Sequence, residues 1–209
     1  MYRRSSGWVL PSTSPGPCVS QKAWPWKSSV HGRTIPIGAL MADFFIATGS
    51  NIEAETSLTK GLTLLAARVK LLRISTHYRT APLGDRRQPE YVNGIWHGQT
   101  EMKPLKLKET LRRIEAECGR IRTGDSYASR TLDLDLILYD DLLLTGPELV
   151  LPDPQIRERA FVYIPLLELE PDIRLPGDKS ILAGLVNPDM ELYYSPITEI
   201  LRNLLDSGL

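Results

Sequence analysis

The sequence predicts an α+β domain, an antiparallel sheet with helices packed on it. Strand-like and helix-like periodicities alternate in the order strand, helix, strand, strand, helix, strand, the split βαβ arrangement. Gly and Pro punctuation separates the segments. Of 209 residues, 42% are hydrophobic and 24% charged, enough apolar material for a sizeable core.

The elements follow in order. Residues 42–49, ADFFIATG, form a short apolar strand that ends in a Gly-Ser-Asn turn. Leu58, Leu62, Leu65, Ala66 and Val69 fall at helical spacing, which predicts a helix over about 54–69. Residues 71–80, LLRISTHYRT, read as one strand, 81–89 as a Pro- and Gly-containing loop, and 91–100, YVNGIWHGQT, as a third strand. Pro104 opens a second helix whose apolar face is Leu107, Leu111, Ile114 and Cys118, and Gly119 stops it. A polar loop, 120–130, leads into the strand RTLDLDLILYDD. Thr145-Gly146-Pro147 breaks the chain before an edge strand, ELVLP. Residues 157–169 read as a helix with Pro165 in or near its first turns, and Ile197, Ile200, Leu201, Leu204 and Leu205 as a closing amphipathic helix.

Residues 1–40 differ from the rest. They are rich in Ser, Pro and Gly, hold no acid, and carry +5 from Arg3, Arg4, Lys22, Lys27 and Arg33, which leaves −5 on the remainder. They contain no apolar core of a secretory signal. The expectation is a disordered extension or translated upstream sequence, with the domain over 41–209 and the functional start at Met41. Zero net charge recruits neither nucleic acid nor anionic lipid. No apolar stretch approaches the roughly 20 residues that span a bilayer. Two distant cysteines, Cys18 and Cys118, form no disulfide framework and fit a reducing cytoplasm.

The strand at 132–138 raises the chemical question, because it holds two carboxylates in an apolar run. Asp133 and Asp135, at i and i+2, share one strand face, while Leu132, Leu134 and Leu136 take the other. Adjacent like charges repel and resist burial, and a hard divalent cation relieves both problems. Mg²⁺ is commonly held by one or two carboxylates plus substrate phosphates. The plain alternative is a wet strand face. Arg120, Arg122, Arg130, Arg157 and Arg159 flank the strand and suit phosphate oxygens, or else pair with Glu115, Glu117 and the aspartates. Tyr91 and Asn93 share a face, and with Phe161 they could stack on and hydrogen-bond a flat heterocycle; ordinary packing is the alternative for the two rings. His77 and His97 match no metal-ligand spacing, and Gly-Ser-Asn at 49–51 is a weak phosphate-cradle signal.

Taken together, GSN (49–51), YRTAPLG (78–84), QPEYVNG (88–94), RIEAECGRIR (113–122), RTLDLDLI (130–137) and RERAFV (157–162) resemble the 6-hydroxymethyl-7,8-dihydropterin pyrophosphokinase family. The likeness runs from about Met41 to Pro176. It implies a ferredoxin-like fold and transfer of pyrophosphate from ATP to the pterin hydroxymethyl group, releasing AMP, in folate biosynthesis. It implies that Asp133 and Asp135 hold two Mg²⁺ ions and that Arg120 and Arg130 steady the transferring group. Thr80, Leu83, Tyr91, Asn93 and Phe161 would bind the pterin; Glu115, Arg122 and Arg159 would face ATP. The implied partners are small molecules alone, with a monomeric state expected. Three positions depart from the family pattern: Asp153 where a His is usual, Tyr127 where a Trp is frequent, and Ser126 where a charge is usual. A non-catalytic pterin- or nucleotide-binding relative is the alternative, and the intact acid pair argues against it.

Overall fold

The computed structural model of the chain describes residues 41–82, 85–122, 128–177, 180–184 and 192–208. Leu83, Ser126, Tyr127 and the 1–40 segment lie outside the described residues. The element order is β1 (Ala42–Ser50), α1 (Ala54–Ala66), β2 (Lys70–Ile74), β3 (Tyr78–Thr80), β4 (Tyr91–Thr100), α2 (Pro104–Glu117), β5 (Asp133–Tyr139), β6 (Leu144–Thr145), β7 (Val150–Leu151), α3 (Gln155–Glu158), α4 (Ala160–Leu169), β8 (Tyr193–Tyr194) and α5 (Ile197–Asp206). Among the described residues the main sheet has the order β5-β1-β4-β3-β8, with β2 also on β4 and every pairing antiparallel. With β2 and β3 counted as one broken strand, the core is βαββαβ with strand order four, one, three, two, as expected.

Helices cover both faces of this sheet. On one face Phe44, Ile46, Trp96, Leu132, Leu134 and Leu136 pack against Leu58, Leu62 and Leu65 of α1, Leu107, Leu111 and Ile114 of α2, and Leu201 of α5. On the other, Phe45, Ile95, Ile137 and Leu138 meet Ile156 and α4 residues Val162, Tyr163 and Leu166. Each fully buried Leu or Ile contributes about 1.5–3 kcal/mol. Cover on both faces explains why the central strands are buried at nearly every position rather than alternately buried and exposed. Ile137 is unopposed in a bulge between Ile46↔Leu136 and Phe45↔Leu138, so it and Leu138 reach the same core.

The structure revises four expectations. The strand expected over 71–80 is two, β2 and β3. Between them Ser75 stays with β4, its N–H donating to Ile95 O (3.0 Å) and its hydroxyl accepting from Ile95 N (2.8 Å), while the His77 peptide turns to Ser195 and Thr198. The segment ELVLP does not edge the main sheet; Val150–Leu151 pairs with Leu144–Thr145 in a separate ribbon because Leu149 and Leu151 are buried against the first core. The helix expected over 157–169 is broken at Arg159, which is extended (φ −116°, ψ 114°). The helix restarts at Ala160, so Pro165 stands inside α4, past its first turn. The strand β8 had no counterpart in the sequence reading.

His77 and His97 are structural. His97 stacks on Phe45 (4.4 Å between centroids), accepts from Arg73 Nε (3.3 Å) and meets Asp43 Oδ1 (3.0 Å). The His77 ring lies so close to Gly94 that a Cβ there would stand 2.7 Å from ring atoms. Overpacking of this kind costs about 1–3 kcal/mol. Gly94→Ala is therefore expected to lower stability by that amount, read as a drop in thermal midpoint; an unchanged midpoint would mean the ring moves freely.

Candidate active site

The two aspartates sit at the open end of β5. Further along the same strand face, Ile137 is covered by the α4 layer; at Asp133 and Asp135 that cover gives way to a cavity of about 190 Å³. Its walls include Thr48 and Gly49 from β1, Tyr91 and Asn93 from β4, Thr80 from β3, Arg130 from the incoming loop, and Gln155, Arg159 and Phe161 from the α3–α4 arm. Sequence-distant residues meet here through strand register. Gly49 stands opposite Asn93 on one side and Asp133 on the other. A Cβ at Gly49 would lie 2.8 Å from Asn93 Oδ1, so glycine keeps the floor open between amide and carboxylate.

A second cavity, about 420 Å³, lies on the far side of Asp135. Lys108 and Arg112 of α2 and Arg122 line it, with Glu148 and Asp153 also in its wall. Asp135 lines both cavities, so it stands at their junction.

The ion pairs divide the acids by role. Asp133 is gripped by Arg120 and Arg130. Arg120 also donates to Leu132 O (3.0 Å) and Glu115 Oε1 (2.7 Å). Burial pushes Asp133 up, but Arg120 and Arg130 more than reverse this and hold its carboxyl below the usual range. Asp135 pairs with Ala47 through the strand ladder, but its carboxylate has no hydrogen bond or ion pair among the described residues. Its side chain is exposed by area because it opens on the cavities, yet protein surrounds it on other sides. That loss of water, then the charges of Asp133, Glu115 and Asp153, push it up to about 7.

This is a chemical fit for a hard cation. Among the described residues no cluster of three or more His, Cys, Asp or Glu stands ready to enclose a metal. Two carboxylates, one of them unpaired and destabilised by its neighbours' charge, fit an ion that takes its other ligands from water and phosphate.

The remaining expected residues fall as follows. Tyr91, Asn93, Phe161 and Thr80 all line the first cavity. Asn93 Nδ2 donates to Thr80 Oγ1 (2.8 Å), so the Thr80 side chain orients the amide. Arg130 lies 6.0 Å over the Tyr91 ring, whose hydroxyl donates to Ala128 O (3.2 Å). Arg159 lines the first cavity and Arg122 the second. Glu115 lines neither: it is 2% exposed behind β5, where it accepts from Leu134 N (2.9 Å), Arg120 and Arg122. Asp153 uses Oδ1 to accept from Gln155 N (2.8 Å), capping the start of α3.

The sequence reading missed Gln155, Lys108, Arg112 and the role of Asn51. Asn51 donates to Gln88 Oε1 (3.3 Å), Pro89 O (3.3 Å) and Ser129 Oγ (3.2 Å) and accepts from Arg130 N (2.8 Å). The Gly-Ser-Asn turn thus ties loops together instead of cradling a phosphate with its side chains. The i, i+4 basic pair on α2 was the available signal for the second cavity.

Residues 45–171 match the family 7,8-dihydro-6-hydroxymethylpterin-pyrophosphokinase (HPPK). The chain belongs to that family. Two curated relatives agree in name. The 2-amino-4-hydroxy-6-hydroxymethyldihydropteridine pyrophosphokinase of Haemophilus influenzae is 37% identical over 145 residues, 68% of this chain and 89% of its own. The Pseudomonas aeruginosa protein of the same name is 37% identical over 140 residues, 66% of this chain and 86% of its own. A crystal structure of Plasmodium falciparum HPPK-DHPS, a triple mutant, superposes with a TM-score of 0.52 at 9% identity, over 70% of this chain and 43% of that one, a likeness of fold. As a pyrophosphokinase of this family, the chain transfers pyrophosphate from ATP to hydroxymethyldihydropterin in folate biosynthesis. No helix among the described residues is long and apolar enough to cross a membrane.

Proposed function

We propose that the first cavity takes the pterin, the second takes ATP, and Mg²⁺ bound at Asp133 and Asp135 joins them. The observation that carries this is Asp135 at the junction of the two cavities. The pterin ring lies between Tyr91 and Phe161, and Asn93 reads its polar edge. Thr80 orients Asn93, and Leu83 belongs to the same expected set. Arg159 and Arg130 reach the phosphates from the first cavity, and Arg122, Lys108 and Arg112 from the second.

In the transfer, the pterin hydroxymethyl oxygen forms a bond to the β-phosphorus of ATP. The bond from that phosphorus to the α-β bridging oxygen breaks, the hydroxyl proton is lost, and AMP leaves. Asp133 and Asp135 would hold Mg²⁺, two ions on the reading of the family resemblance, and the bound metal would supply neutralisation of the phosphate charge. The protein positions: Arg120 and Arg130 keep Asp133 ionised and fixed, and Glu115 anchors Arg120 from behind. Asp153 is turned to its own helix start, so it serves as a cap and not as a phosphate ligand. Deletion of residues 1–40 should leave the rate of AMP formation unchanged; a large loss would make that segment part of the machinery.

The test is AMP formation from ATP with Mg²⁺, with and without 6-hydroxymethyl-7,8-dihydropterin. AMP should depend on the pterin and vanish when EDTA removes the metal. Undiminished AMP in EDTA would remove the metal from the scheme. Asn93→Ala should raise the pterin KM roughly tenfold or more, the worth of one or two hydrogen bonds to ligand, with little change in the ATP KM. Steady-state kinetics in each substrate decides; a raised ATP KM alone would exchange the cavities.

A further inference from the structure

The family match ends at residue 171, and α5 lies beyond it. The helix is nevertheless tied to the floor of the first cavity. His77 N donates to Thr198 Oγ1 (2.9 Å), Thr198 Oγ1 donates to Ser195 O (2.9 Å), and Ser195 N donates to His77 O (2.8 Å). All three residues are buried, with Thr198 and His77 at 0% exposure and Ser195 at 3%. The peptide of His77 is therefore held on both sides by the chain entering α5.

The ring of His77 extends that hold to the sheet. Nε2 lies 3.3 Å from Thr48 Oγ1, Nδ1 lies 3.3 Å from Ser75 O, and the Thr48 hydroxyl is 3.1 Å from Gly94 O. The ring also fills the space that a Gly94 side chain would take. Thr48, which borders the cavity, has its side chain on the strand face of Phe44 and Ile46. What the ring supports is thus the backbone of β1 and β4, one residue from Gly49 and Asn93 in the cavity floor. Burial keeps the ring neutral, with one N–H to share between Ser75 O and Thr48 Oγ1. Its placement depends on how the His77 peptide is held.

We propose that α5 positions the pterin cavity through His77, with Thr198 as the positioning residue. This rests on assigning the first cavity to the pterin. Thr198→Val removes the hydroxyl at near-constant volume. The pterin KM should rise roughly tenfold, the worth of one buried hydrogen bond, while the ATP KM changes less than about twofold. Thr198→Ser should restore it to within about twofold. Leu201→Ala weakens the same helix by packing alone and should lower the thermal midpoint with the pterin KM unchanged.

Asn93→Ala, run beside these, separates the two claims. If it also leaves the pterin KM unchanged, the cavity assignment fails. If it raises the KM while Thr198→Val does not, the positioning role is overturned. Should Thr198→Val not fold, hydrogen exchange on the unmodified protein decides, because coupling is reciprocal. Saturating pterin should slow the His77 and Ser195 amides several-fold more than the Ala67 amide at the end of α1; equal slowing would overturn the proposal.

Discussion

Asp135→Asn is expected to abolish turnover and, in the metal-free protein, to raise stability above neutral pH. The loss of turnover follows from the proposed metal role of Asp135 and from its place bordering both cavities, where no arginine pairs with it among the described residues. Losing a metal ligand at such a site should lower kcat by on the order of 10³-fold or more. The gain in stability follows from the same crowding. Burial, and then Asp133, Glu115 and Asp153, raise Asp135 to about 7, against 3.8 in the unfolded chain. Between those values the folded form binds more protons, so stability falls as pH rises through the window. Asparagine cannot ionise. The advantage of the variant is therefore nil near pH 4, grows across the window and is complete above pH 7.

Because Asp135 opens on solvent, screening reduces the gain to on the order of 1 kcal/mol, or about 2–4 °C of midpoint in a chain of this size. Thermal unfolding in EDTA at pH 4 and at pH 8 measures it. A variant with normal turnover would rule out the metal role. One destabilised at pH 8 would show that the carboxylate is favourably held in the free protein.

Glu115→Ala is expected to be the most destabilising single change at the site, at about 3–5 kcal/mol. It leaves the Leu134 N–H buried without its acceptor and removes the carboxylate that fixes Arg120, itself 12% exposed. Arg120 then shifts on Asp133, so kcat should fall along with stability. Glu115→Gln keeps an acceptor for Leu134 N and should lose less. A urea unfolding series on both variants checks the order. A Glu115→Ala protein with ordinary stability and a raised ATP KM would return Glu115 to the nucleotide, where the family resemblance placed it.

The legible parts of this protein are those whose signal is local. β1, α1, β4, α2, β5 and α5 each announce themselves by a run of one period, and β1, β4, α2 and α5 also by a Gly or Pro near a boundary. Asp133 and Asp135 could be assigned to one face because i and i+2 on a strand must share it. Tyr91 and Asn93 followed by the same rule, and all four line the cavity. The misreadings share the opposite property. The strand at 71–80 divides because the His77 peptide finds Thr198, 121 positions away. The helix at 157–169 breaks where Arg159 turns to line the cavity. Glu115, which the family resemblance set facing ATP, is buried behind β5, a place that depends on the Leu134 amide 19 positions on.

The sequence by itself determined the α+β class, the order of the core elements, the paired carboxylates and their common face. These follow from side-chain period and turn chemistry, which act over a few residues. Only the tertiary structure decided that Asp135 borders two cavities with no side-chain partner among the described residues, that Asp133 is the one gripped by arginine, and that the chain entering α5, beyond the family match, holds the His77 peptide. These depend on which distant groups meet in a low-dielectric interior, where an unpaired charge or a missing hydrogen-bond partner costs more than any local preference.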